Sequence, residues 1–334
     1  FGFIRYAMPL FPQAALDYAP AIAVLGVIGI VYGSFMCMAQ SDLKRLIAYS
    51  SVAHLGFVML GLSALTAEAA SGAVLQMVNH GISTGALFLM IGYLYERTHT
   101  RDLAAYGGLA RVAPAIAATF LVVTLSSIGL PGTNGFIGEF LVLLGTFTSR
   151  GLGAPWILPA MARPVVALLA GVLIGALLSG KWLVRGFIGL VVFAVLALFL
   201  PLEYPKGITL GVVGTSGVIL GAVYMLWMYQ RVFWGPQRKA ASHGVRDLDV
   251  REWFTIAPLI AAIVWIGFFP QPLLSAVKEP VDAFVARVSK PEAPRPRAQG
   301  PAPSQDTTAP RIFLPQRAPM ARPPSPEPEP ERGK

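Results

Sequence analysis

The sequence predicts an all-α, polytopic membrane helix bundle, and three observations lead there. Of the 334 residues, 55% are hydrophobic and 13% charged, and mean hydropathy is +0.62, a balance far from that of a soluble domain. Uncharged stretches of about 17 to 25 residues recur, each long enough at about 1.5 Å per residue to cross about 30 Å of hydrocarbon. None alternates apolar and polar residues as a barrel strand does, and lipid offers unpaired backbone groups no partner, so the crossings are helices.

Composition also removes several kinds of chemistry. The single cysteine, Cys37, can neither close an internal disulfide nor supply the thiolates of an iron–sulfur cluster or a Cys-based zinc site. No G-x-G-x-x-G or G-x-x-x-x-G-K-[ST] run is present to cradle a nucleotide phosphate. No cofactor and no metal are therefore expected on this chain. The net charge of +9 is expected to follow membrane topology, with the lipid bilayer and not nucleic acid as partner.

Taken in order, spans are predicted at 20–39, 46–65, 72–95, 114–147, 164–180, 183–201, 207–230 and 253–270. The opening FGFIRYAMPL is an apolar helix end too short to cross, and it lacks the basic, apolar and small-residue order of a signal peptide. A C-terminal fragment of a longer chain is expected. Numbering the gaps alternately puts twelve lysines and arginines on one side, among them Lys44, Arg45, Arg97 and Arg101, and four, Arg5, Arg150, Arg163 and Lys206, on the other. The positive-inside rule makes the first side cytoplasmic and leaves the C-terminal tail extracytoplasmic.

The G-x-x-x-G pairs Gly29/Gly33, Gly171/Gly175 and Gly217/Gly221 predict close helix packing. Trp182, Trp227, Trp234 and Trp253, near span ends, predict interfacial anchors. Beyond the last span, LLSAVKEPVDAFVARVSK has helical apolar spacing interrupted by Pro280 and is expected on the membrane surface. Residues 291–334 hold thirteen of the 28 prolines and are expected to form a disordered tail.

One span is too long. Pro114 to Phe147 is 34 residues, about 51 Å as a straight helix, so it must break or tilt steeply. The break is predicted at GLPGTNG, residues 129–135, where Pro131 removes a donor and three glycines permit non-helical backbone. Such backbone is tolerated at membrane depth only against protein or a water-filled cavity.

Glu139 stands four residues past Gly135 and is the only acid placed inside a span. Glu68 separates two full-length spans instead. Cutting the long span at Glu139 leaves too few residues to cross, so the carboxyl is expected near mid-membrane, where an acid is a functional candidate. A central charge costs about 2.5 to 3.5 kcal/mol on the insertion scale. A lysine within about 4 to 6 Å offsets a comparable amount, so moving that charge would flip the proton.

In the span 72–95, Gln76, Asn79, His80, Ser83 and Thr84 recur at intervals of three and four and share one face. This stripe either bonds helices together or lines a wet axis, with His80 as its titratable member. Ser50, Ser51 and His54 repeat the pattern weakly, and His54 is either a satisfied structural group or a second relay. Lys44 and Arg45 close the preceding turn and act first as topology determinants.

Four strings, AQSDLKRLIAYSSVAHLGFV, QMVNHGISTGALFLMIGYLYERTHTRD, GGLARVAPAIAATFLVVTLSSIGLPGTNGFIGEFLVLLG and GFFPQP, together resemble the chain M (chain 4) branch of the antiporter-like subunits of respiratory complex I, the NADH-quinone oxidoreductase. The resemblance covers residues 1–147 closely and 207–272 more loosely. It implies two inverted five-helix repeats, each with a broken helix, of which this chain holds the second repeat onward. It matches Glu139 to the family's charged residue on the second broken helix, and His80 and His54 to histidines of its hydrated central axis. The first repeat, with its own acid and lysines, and a linking lysine are implied upstream of Phe1.

The organisation that follows is an antiporter-like core at 1–147, an inserted transmembrane hairpin at 148–206, terminal helices at 207–290 and the tail at 291–334. The hairpin departs from the family pattern, and its two crossings preserve the orientation of everything downstream. The resemblance implies a proton-translocating membrane-arm subunit of the cell inner membrane, partnered by other membrane-arm subunits. NADH, flavin and iron–sulfur clusters are then expected on other chains. The alternatives are a subunit of a multisubunit cation/proton antiporter or membrane-bound hydrogenase, or a scaffold that conducts nothing.

Overall fold

A computed structural model of the chain describes residues 1–149, 152, 206–238 and 245–289. The spans expected at 164–180 and 183–201, with Gly171, Gly175 and Trp182, and the tail expected at 291–334 lie outside the described residues. Among the described residues there is no strand; one isolated bridge joins Asp42 and Asp102.

Among the described residues, eight principal helices follow a short helical lead-in: α1 (Pro12–Met38), α2 (Leu43–Ser63), α3 (Ala67–Thr98), α4 (Pro114–Ile128), α5 (Asn134–Thr148), α6 (Lys206–Phe233), α7 (Val250–Phe268) and α8 (Gln271–Ser289). Five are long and apolar enough to cross a membrane: α1, α2, α3, α7 and α6 from Gly207. The chain is a membrane protein. Helices α4 and α5, of 15 residues each, would reach only about 22 Å apiece. They are the two halves of the overlong span, broken where the glycines predicted.

Local chemistry sets the ends of these elements. α1 begins at Pro12 and not near residue 20, because Pro12 suits a first helical turn and Asp17 remains at the surface, accepting from Gln13 Nε2 at 3.1 Å. Asp42 caps α2 by accepting from Arg45 N at 2.9 Å, and Thr66 caps α3 by accepting from Ala69 N at 3.2 Å. α4 has no side-chain cap of its own. Its first free amides, Ala115 N and Ile116 N, are instead taken by the carboxylate of Asp247 at 2.8 and 2.9 Å. α7 opens on a reciprocal capping box between Asp249 and Glu252.

α1 and α2 pack backbone against backbone. A Cβ on Gly26 would lie 2.9 Å from Gly56 O, one on Gly56 2.6 Å from Gly26 O, and one on Gly33 2.8 Å from Ala53 N. The backbones touch, as small-residue crossings in membranes do. The Gly217/Gly221 pair behaves differently from expectation. Gly217 lies against Ile30 of α1, but the nearest atom to a Cβ on Gly221 is Tyr224 Oη at 3.9 Å, so only the first glycine marks a close approach.

At one end of the bundle Arg97 joins α3 to α7. Its guanidinium donates to both carboxylate oxygens of Glu252, at 2.7 and 2.6 Å, and to the carbonyls of Tyr93, Arg246 and Asp247. Such bidentate pairing fixes both position and orientation. α8 continues as a helix through Pro280 and packs Val281, Phe284 and Val288 against the bundle, beside α1 and α3.

A bulky residue at a backbone contact should fail where one at open space succeeds. Gly56→Leu is expected to lower the thermal unfolding temperature in detergent markedly, from overpacking of roughly 1 to 3 kcal/mol or more. Gly221→Ala should leave it unchanged or slightly raised, since alanine is favoured over glycine in helices by about 0.5 to 1 kcal/mol.

Candidate functional site

The helix break is built from two left-handed glycines. Gly129 has φ +76° and Gly132 φ +91°, conformations that residues with a Cβ rarely adopt. Gly129 N donates to Ser126 O, and Leu130 N to Leu125 O, each at 3.1 Å, closing α4 with its last carbonyls satisfied. A Cβ on Gly135 would fall 2.1 Å from Ser126 O. The second half-helix therefore starts directly against the carbonyl end of the first. Gly132 O lies close to Gly267, so α7 covers the unwound turn with protein.

Glu139 is in the second turn of α5 and is only 4% exposed. Its Oε1 lies 2.9 Å from Nδ1 of His54 on α2 and accepts from Nε2 of Gln76 on α3 at 3.1 Å. Its Oε2 faces the break, 3.1 Å from where a Gly129 Cβ would stand. Among the described residues, the group within ion-pair distance of Glu139 is His54; Lys44, at the start of α2, is exposed. The linking lysine implied by the resemblance is expected upstream of Phe1; within the described residues the group facing Glu139 is the imidazole of His54. A carboxyl and an imidazole at this distance can hydrogen-bond in either direction, according to the tautomer and the position of the proton.

The ring of His80 stands 5.4 Å from that of His54, centroid to centroid, tilted by 43°. His80 Nδ1 lies 3.0 Å from Thr84 Oγ1. The α3 stripe does face a single place: Gln76, Asn79, His80, Ser83 and Thr84 line a cavity with His54, Ser126, Ser127, Gly135 and Glu139. Its volume is about 10 Å³, near the room one water occupies. Three buried oxygens on its lining residues, Gln76 Oε1, Asn79 Oδ1 and Ser127 Oγ, have no hydrogen-bond partner among the described residues. They are acceptor positions suited to a water molecule.

Glu139, His54 and His80, singled out separately in the sequence, are brought together by three different elements. Sequence reasoning missed the polar group at the break. Asn134, Ser126 and Ser127 were legible as polar residues beside GLPGTNG, but nothing local indicated that they meet α3. Asn134 Oδ1 accepts from Ser126 Oγ at 2.5 Å and Ser83 Oγ at 3.2 Å, and Asn79 Nδ2 donates to Asn134 O at 2.6 Å. No cluster of three or more His, Cys, Asp or Glu able to hold a metal is found among the described residues.

A bundle of membrane helices with one discontinuous member, a buried acid on its second half and histidines facing it from two unbroken neighbours is the architecture of an antiporter-like membrane subunit. Residues 1–162 match the family described as "NADH:quinone oxidoreductase/Mrp antiporter, TM", and this part of the chain belongs to that family. It is 34% identical over 91% of its length to NADH-quinone oxidoreductase subunit M of Mycobacterium tuberculosis, covering 44% of that protein. It is 37% identical over 81% of its length to the subunit of the same name from Rhodobacter capsulatus, covering 42% of it. Among solved structures it is similar to a chain of respiratory complex I from Thermus thermophilus with bound NADH, at a TM-score of 0.65 and 29% identity over 86% of this chain and 49% of that one. The chain thus spans less than half the length of the curated relatives it matches.

The Gln76 contact provides a spectroscopic test of the pair. Gln76→Leu removes the amide donor to Glu139 Oε1, so the deuterium-sensitive carboxyl band in infrared difference spectra that disappears in Glu139→Gln should shift in Gln76→Leu. An unmoved band would mean that the amide does not reach the carboxyl.

Proposed function

We propose that this chain is the proton-translocating second repeat, with the terminal helices, of an antiporter-like membrane-arm subunit of an NADH-quinone oxidoreductase. The observation that carries the reading is the buried Glu139–His54 contact on a broken helix, with His80 next in line. A proton on the Glu139 carboxyl passes to His54 Nδ1 across one hydrogen bond, leaving carboxylate and imidazolium. His54 hands it to His80 by a ring rotation or through one bridging water, and the carboxylate then accepts the next proton from the other side.

The magnitudes suit this work. Carrying one charge against 100 mV requires about 2.3 kcal/mol, and a swing of two pKa units at the acid supplies about 2.7 kcal/mol. A moving positive neighbour achieves such a swing. In this reading that neighbour lies on another subunit or another part of the full-length protein, and its motion is driven by redox steps carried out elsewhere. NADH oxidation, flavin, clusters and quinone reduction belong to other chains of the complex, with which this one assembles in the cell inner membrane, its C-terminal tail on the extracytoplasmic side. Identities of 34% and 37% to proteins named as oxidoreductase subunits favour this reading over a cation/proton antiporter of the same fold.

Glu139→Gln, nearly isosteric and unable to ionise, is expected to assemble at wild-type levels. NADH-driven proton uptake into inverted membrane vesicles, followed with a pH-sensitive dye, should fall by about tenfold or more. Wild-type uptake in an assembled Glu139→Gln complex would overturn the reading in favour of a passive scaffold.

A further inference from the structure

We infer that Asn134 is a positioning residue for Glu139, acting through a polar clasp that ties the free end of the second half-helix to α3. The inference rests on the proton-transfer reading above and concerns a residue that carries no proton itself.

A half-helix that begins inside the membrane needs something to fix its height and rotation. The usual local device is missing here: Thr133, the residue before α5, makes no side-chain cap and instead donates its hydroxyl to Leu130 O at 2.7 Å. Asn134 takes over from a tertiary direction. Its side-chain oxygen accepts from Ser126 at the end of α4 and from Ser83 on α3. Its main-chain oxygen accepts from Asn79 Nδ2, and its own Nδ2 reaches back to Asn79 O at 3.4 Å. Ser83 Oγ and Ser126 Oγ also lie 2.7 Å apart, so either hydroxyl can turn its single proton from Asn134 to the other. Four residues from three helices thus close a ring of hydrogen bonds around one amide, and all four are at most 4% exposed.

Asn79 and Gln76 lie three residues apart on the same face of α3. The first holds the start of α5, while the second holds the carboxyl carried five residues further along it. The clasp therefore sets the register between the acid and both its partners, His54 and Gln76. A slip of the half-helix by about 1 Å would part Glu139 from His54, and displacements of that size cost roughly a hundredfold in well-oriented reactions. Neither Gly129 nor Gly135 can prevent the slip, having no side chains to bond.

The test uses membranes containing the whole complex, with Asn134→Ala, Ser126→Ala and their double variant beside Glu139→Gln. Each clasp variant is expected to assemble, to lose about fivefold to tenfold of proton uptake at the wild-type pH optimum, and to displace the pH profile of uptake. The double variant should be no worse than the poorer single one, because both remove the same hydrogen bond. Ser126→Thr, which keeps the hydroxyl, should restore the wild-type pH profile. Assembled clasp variants with wild-type uptake and pH profile, or losses that multiply in the double variant, overturn the inference. So does failure of both single variants to accumulate, which would make the clasp a folding element. If Glu139→Gln pumps normally, it is the proton-transfer reading that fails; if Glu139→Gln is inactive and the clasp variants are normal, only the positioning role fails.

Discussion

Breaking a helix leaves amides and carbonyls without their ladder partners, and in hydrocarbon no bulk water replaces them. Much of the bundle around the turn between Ile128 and Asn134 follows from meeting that demand. Left-handed Gly129 returns two amides to the last carbonyls of α4, Asn79 reaches the first carbonyl of α5, and the end of α7 lies over Gly132. Glycine at 135 lets the two half-helices abut, and glycine at 138 lets α3 approach closely enough for Gln76 to lie against α5.

The same break makes room for chemistry. A continuous helix at this point would pack its whole face against α2 and α3, whereas the interrupted one leaves a cavity of about 10 Å³ bordered by an acid, two imidazoles and oxygens short of donors. Burying a carboxyl is costly unless its oxygens are bonded, and His54 and Gln76 both bond Oε1. In the proposed mechanism this same His54 contact is the one across which the proton leaves.

The Arg97 fork on Glu252, the Asp247 cap on α4 and the Asp249 capping box tie α3, α4 and α7 together at one end. α1 and α2 are locked through glycine contacts. The break thus sits within a stiff frame, which suits a site whose function depends on hydrogen bonds of about 3 Å.

Hydrophobic length and periodicity are local properties, so the described helices, the break at residues 129–135, an acid just beyond it and the polar face of α3 could all be read from the residues themselves. The resemblance further pointed to His54 and His80. Even the small disagreements were local: α1 starts at Pro12 and not near residue 20, and among the described residues no neighbouring helix comes within 4 Å of a Cβ on Gly221. Which groups meet is a different kind of information. His54 lies 85 residues from Glu139, Gln76 63 residues away and Asn79 55 residues from Asn134, and a hydrogen bond at such separation depends on crossing angle and helix register, which no window of sequence contains. The residues by themselves determined that a buried acid would stand beside a broken helix; only the tertiary packing decided that its partner is a histidine and that an asparagine holds it there, because direction and distance between side chains exist only once the helices have packed.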